Sequence, residues 1–121
     1  MANARNQVLA GDYEGRAIAS SGDVVLISVG GFKTVKLNKK TVATYEVITD
    51  EHQKSAASGV VRGIVGGALL GAVGALAGVL TAKNKSLYHI AIQFNDGRRS
   101  LLEVDEKIFK AISTNCPIVF N

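Results

Sequence analysis

Residues 59–82 read GVVRGIVGGALLGAVGALAGVLTA, and the way this stretch folds decides the architecture of the 121-residue chain. It holds seven of the thirteen glycines, and only Arg62 and Thr81 are neither apolar nor glycine. With a helical turn of about 100° per residue, Gly59, Gly63, Gly67, Gly71, Gly74 and Gly78 fall within an arc of roughly 120°. Val61, Val65, Leu69, Leu76 and Leu80 fall on the opposite side. The phase predicts a glycine-zipper helix with one flat face and one aliphatic face. Each interior glycine costs about 1 kcal/mol relative to alanine, so such a helix needs another helix backbone packed closely across its small residues. That partner is either a second copy of the chain or a second helix formed where the segment doubles back. A continuous helix over 59–82 would also end about 36 Å from its start, which separates the C-terminal region from the N-terminal one. Homo-oligomerisation through the six glycines is the expectation that follows.

The same stretch has a competing reading. Residues 63–82 carry no charge, and a helix of that length rises about 30 Å, the thickness of a bilayer core. Glycine and alanine make up much of the run, which weakens insertion relative to a leucine-rich span. A single span would also place the flanking β regions on opposite sides of the membrane. Residues 1–11 contain no apolar run of the kind a secretory signal needs, so the expected location is the cytoplasm, with peripheral or integral membrane association as the alternative.

Outward from this segment the pattern changes to that of strands. Residues 24–29 (VVLISV) are rich in β-branched side chains and are bounded by Ser20-Ser21-Gly22-Asp23 and Gly30-Gly31. Residues 32–37 and 42–49 (VATYEVIT) extend this into a meander, with 16–19 as an added edge strand. On the other side, Tyr88, Ile90, Ile92 and Phe94 alternate with Leu87, His89, Ala91 and Gln93, so one face is expected to be core and the other wet. Asp96-Gly97 predicts a tight two-residue turn with positive φ angles, returning through residues 101–104. Asp105 is placed to cap a helix over 106–113, which presents Ile108, Phe109 and Ile112 on one face.

The net charge is +4, and between His52 and Asn95 there is no Asp or Glu. Lys54, Arg62, Lys83 and Lys85 all lie in that interval, and an oligomer would multiply this basic collar. Arg98 and Arg99 add a second basic spot beside the Asp-Gly turn. An anionic partner is therefore expected at Arg62, Lys83, Lys85, Arg98 and Arg99, in the form of a nucleotide or anionic lipid. Sequence-specific nucleic-acid binding is not expected, because aromatic residues interleaved with the basic ones are sparse.

Catalytic patterns are missing from the sequence. The glycines follow a helical phase, and no glycine precedes the Lys-Ser/Thr pair of a phosphate loop. Cys116 is the only cysteine and His52 and His89 are the only histidines, which excludes disulfide scaffolds and clustered metal ligands. Both histidines read as surface or half-buried residues, and Asn115-Cys116-Pro117 shows nothing that would activate a thiol. No catalytic residue, metal ligand or cofactor is expected.

The order VVLISVGG, KLNKKTVATYEVI, IAIQFNDGRRSLLEV and DEKIFKAI, over residues 16–114, resembles bacterial pleckstrin-homology-like or GRAM-like domains. It is also similar to small proteins of Gram-positive bacteria and their prophages that carry a Gly-rich helix between two β regions. The resemblance implies a curved antiparallel sheet closed by a C-terminal helix, and a non-enzymatic binding or assembly module. In a prophage setting, capture of a host signalling nucleotide, as by an immune-evasion sponge, would suit such a module. The expected fold is thus one α+β domain. Residues 1–15 form a lead-in, 16–52 an antiparallel β meander, 53–85 the glycine-zipper helix or helical hairpin, and 86–121 a β-hairpin with a short helix.

Overall fold

A computed structural model describes residues 6–48, 68–74 and 87–116. Seven strands occur among them: β1 (Gln7–Gly11), β2 (Ile18–Ser21), β3 (Val24–Gly30), β4 (Lys33–Lys36), β5 (Val42–Val47), β6 (Leu87–Phe94) and β7 (Arg99–Asp105). Two short helices accompany them, α1 (Ala68–Gly74) and α2 (Glu106–Asn115). The strands form a four-stranded sheet in the order β1-β7-β6-β5 and a three-stranded sheet in the order β2-β3-β4, with every pairing antiparallel. A bridge between Gln7 and Ala17 joins the sheets, reinforced by Val8 N–H donating to Arg16 O at 2.9 Å and Ile18 N–H donating to Asn6 O at 2.8 Å.

Period-two patterning explains the main core. Tyr88, Ile90, Ile92 and Phe94 of β6 turn inward with Leu102 and Val104 of β7, Val42 and Tyr45 of β5, and Val25 and Ile27 of β3. Helix α2 adds Ile108 and Ile112 to the same cluster, and Phe109 stacks on Tyr88 with ring centroids 4.2 Å apart. Its start is fixed as the sequence predicts: Asp105 Oδ1 accepts from Ile108 N–H at 2.9 Å. Asp105 is itself held by Asn6, whose Nδ2 donates to Oδ2 at 3.1 Å.

The expected fold class is corrected in its central element. The described chain is predominantly antiparallel β in two sheets, and the Gly/Ala stretch contributes only the seven-residue helix α1 to it. The remaining residues of 59–82 lie outside the described residues, Gly59, Gly63, Gly67 and Gly78 among them. Helix α1 packs its aliphatic side, Leu69 and Val73, onto the outer face of the four-stranded sheet with Ala10, Ile48, Ala91 and Leu101. The side of α1 that meets the sheet of its own chain is the aliphatic one, opposite the glycine face on which the zipper reading placed another helix. Gly71 is exposed, and among the described residues a Cβ built there meets nothing within 4 Å, so this glycine makes no close backbone approach to any of them. Gly74 is the last described residue of the helix.

Gly71→Ala is accordingly expected to raise stability by about 0.5–1 kcal/mol, the ordinary helix-propensity gain at an open position. Urea unfolding measures it, and a loss of similar size would restore close packing at this glycine.

Two further expectations change. The separation imposed by a long helix does not arise: β6 pairs with β5 and β7 with β1 of the same chain, so no exchange of strands between protomers is required. The turn between β6 and β7 is also longer than a two-residue loop. Gly97 has φ +92° while Asp96 does not reach positive φ, and Phe94 N–H donates to Arg98 O at 2.7 Å. This is a turn followed by a left-handed glycine, which needs only one positive φ.

Candidate functional site

Three turns meet around the two arginines expected to bind an anion. The β6–β7 hairpin presents Arg98, whose Nη1 donates to Tyr13 Oη at 2.7 Å and lies 3.3 Å from Asp96 Oδ2. The guanidinium also sits 5.5 Å from the centre of the Tyr13 ring. Tyr13 is held with φ +65° in the β1–β2 turn and packs edge-on against Phe94, centroids 5.6 Å apart. Arg99 N–H donates to Asp12 Oδ2 at 3.0 Å, and Asn95 Nδ2 donates to Lys40 O at 2.7 Å. Ser100 Oγ donates to Asp12 O, completing the tie.

This cluster is a clasp between turns. The hydrogen bond to Tyr13 raises the Arg98 pKa above its ordinary value, and the charges of Tyr13 and Asp96 act in the same direction. An incoming phosphate would have to displace Asp96 and Tyr13 from the Arg98 guanidinium, while Arg99 is tied to Asp12 through its backbone N–H. Arg62, Lys83 and Lys85, the other expected anion-binding residues, lie outside the described residues.

A larger basic surface lies on a different part of the described chain. Residues 24–45 contain Lys33, Lys36, Lys39 and Lys40 and no Asp or Glu. All four lysines are exposed, and among the described residues none forms an ion pair. Strand β4, which carries Lys33 and Lys36, is the edge of the three-stranded sheet. Lys39 and Lys40 occupy the following turn, ordered by Asn38 Oδ1 accepting from Lys40 N–H at 2.8 Å and by Thr41 Oγ1 donating to Lys36 O. The signal was available: this interval carries the same excess of four positive charges as the interval around the Gly/Ala segment. A whole-chain balance hides it behind the acids elsewhere.

The outer face of the four-stranded sheet holds the second departure. His89, expected on a wet face, is buried, with 3% of its surface exposed, on the same face of β6 as Ala91, which belongs to the cluster under α1. His89 Nε2 stands 3.9 Å from Glu103 Oε2, its cross-strand neighbour, and has no hydrogen-bond partner among the described residues. Burial lowers the His89 pKa, and the Glu103 charge opposes that shift without reversing it. Neutral His89 is therefore the folded form. The unfolded chain takes up a proton first as pH falls below about 6.5, so stability is full above that value and declines beneath it. The urea midpoint of the native protein is expected to fall as pH drops below about 6.5, and His89→Gln is expected to flatten that decline. Parallel profiles would show that the imidazole is not buried neutral.

Cys116 belongs to the inner core beside Ile112, on the opposite side of the sheet from His89. Burial pushes its thiol up to about 11, which leaves almost no thiolate at neutral pH. Among the described residues no group of three or more His, Cys, Asp or Glu is arranged to hold a metal ion, and no helix is long and apolar enough to cross a membrane. No protein-family model, curated protein or solved structure matches the chain.

Proposed function

We propose that this protein is a non-enzymatic binding module whose lysine-bearing surface over residues 24–45 takes an anionic partner. The observation that carries the reading is the exposure of Lys33, Lys36, Lys39 and Lys40 on a stretch without a single acid. Such a surface raises the local concentration of anions and steers them inward. The separation of Cys116 from His89 by a sheet, and a thiol held protonated, support a role without nucleophilic catalysis. Consecutive antiparallel strands followed by a helix that packs on them support a pleckstrin-homology-like ancestry. One buried cysteine suits a reducing compartment, so the partner is sought among cytoplasmic anions. Self-association through Gly59, Gly63, Gly67, Gly71, Gly74 and Gly78 depends on residues of which four lie outside those described, and it forms no part of this reading.

Inositol hexakisphosphate serves as a compact polyanionic probe. Reversing two of the lysines, Lys33→Glu with Lys36→Glu, is expected to weaken its binding by roughly tenfold or more and to reduce the salt dependence. Reversal of Arg98 is expected to have the smaller effect on affinity, since that guanidinium is already engaged by Tyr13 and Asp96. Unchanged affinity in the lysine variant, measured by calorimetry, would remove the surface from consideration.

A further inference from the structure

The tip of the β3–β4 hairpin combines two features that solvent alone does not explain. Phe32 is fully exposed, at 107% of the reference accessibility, while the only other large apolar side chain exposed among the described residues is Val24 at 41%. The other phenylalanines among the described residues are used for packing: Phe94 is buried and Phe109 stacks on Tyr88. A hairpin turn requires no aromatic residue, and an exposed ring at the end of a sheet edge invites association unless it has a destination.

Positive charge surrounds the ring. Lys33 follows it directly and pairs across the strand with Gly30, and Lys36 lies further along the same edge strand. The Arg16 guanidinium lies at the foot of the tip, 3.8 Å from the position of a Cβ on Gly30. Neither β3, the tip nor β4 carries an acid. Lysines on an edge strand are an ordinary guard against edge-to-edge pairing, but Phe32 works against that purpose. A second copy of the chain would bring lysine against lysine. A surface that is anionic outside and apolar a few ångströms beneath satisfies both features at once.

We propose that the β3–β4 hairpin is a membrane-surface anchor, in which Phe32 enters the headgroup boundary of an anionic bilayer while Arg16, Lys33 and Lys36 meet the lipid phosphates. It rests on the anion-binding reading and names the partner of that same surface. One aromatic ring and three cations make a weak, reversible anchor, in contrast to a spanning segment.

The chain contains no tryptophan, so Phe32→Trp places a single fluorescent reporter at the tip. With vesicles of phosphatidylglycerol and phosphatidylcholine in equal parts, its emission is expected to shift to the blue. Pure phosphatidylcholine vesicles and inositol hexakisphosphate are expected to leave it unshifted. Phe32→Ser, at a fully exposed position, keeps the fold and is expected to lose about tenfold in vesicle affinity by co-sedimentation while binding inositol hexakisphosphate as the native protein does. Native vesicle affinity in Phe32→Ser would overturn the anchor, and lysine-dependent binding of inositol hexakisphosphate would leave the anion-binding reading standing. Tighter binding to polyglutamate than to anionic vesicles would assign the surface to an acidic protein and also overturn the anchor. If neither vesicles nor inositol hexakisphosphate bind, both readings fall.

Discussion

Gly11→Ala is expected to destabilise the protein by on the order of 3 kcal/mol, the largest effect of any glycine-to-alanine change among the described residues. Gly11 ends β1 with φ +84°, a conformation that costs a residue with a side chain about 1 kcal/mol or more. The greater penalty is steric. A Cβ at this position would stand 2.3 Å from Arg99 O and 2.8 Å from Leu69 Cδ2. The first is a backbone carbonyl of the paired strand, which also accepts from Asp12 N–H at 2.8 Å, so it cannot rotate out of the way. Relief requires β1 to move from β7, and the β1–β7 pairing joins the first and last strands among the described residues. Equilibrium unfolding in urea reads the loss, and a change below about 1 kcal/mol would mean that the strands and α1 do not meet as closely as described.

Leu69→Ala is expected to cost about 2–4 kcal/mol. Leu69 is 1% exposed, and it belongs with Val73, Ala10, Ile48, Ala91 and Leu101 to a cluster separate from the main core. Truncation leaves a cavity beneath α1, whose glycines give it little propensity of its own to hold position. Because the cluster is built within one chain, the loss is expected at every protein concentration. Val24→Ala, at an exposed position, is expected to stay within about 0.5 kcal/mol. A Leu69→Ala effect equally small would mean that α1 does not cover the sheet.

Where the determinants are local, the sequence revealed them. Alternation over Leu87–Phe94 sets a strand with Ile90 and Ile92 inward, and Asp105 caps the helix that follows. Strand β1 was not legible, because QVLAG has one β-branched residue and becomes a strand by pairing with β7, almost a hundred positions away. Burial of His89 was hidden for a related reason: alternation gives the two faces of a strand but not whether a third layer covers the second one. Leu101 and Leu102 are adjacent, point to opposite faces and are both buried, which is the one sequence clue that both faces are covered. The zipper phase misled because small residues at helical spacing describe what a helix would present if formed, while each glycine simultaneously lowers its stability. In Leu69 and Val73 the aliphatic half of that pattern did find a use, against the sheet.

The account divides the molecule into a Gly/Ala element that serves the fold and a lysine-bearing surface that serves recognition. Titration of the ¹⁵N-labelled protein with inositol hexakisphosphate, followed by amide chemical shifts, tests that division most directly. It predicts shifts concentrated at residues 32–41, with the amides of Ala68–Gly74 and of β6 unmoved. Shifts concentrated at Arg98 and Arg99, or at Lys83 and Lys85, with residues 32–41 unmoved, would contradict it.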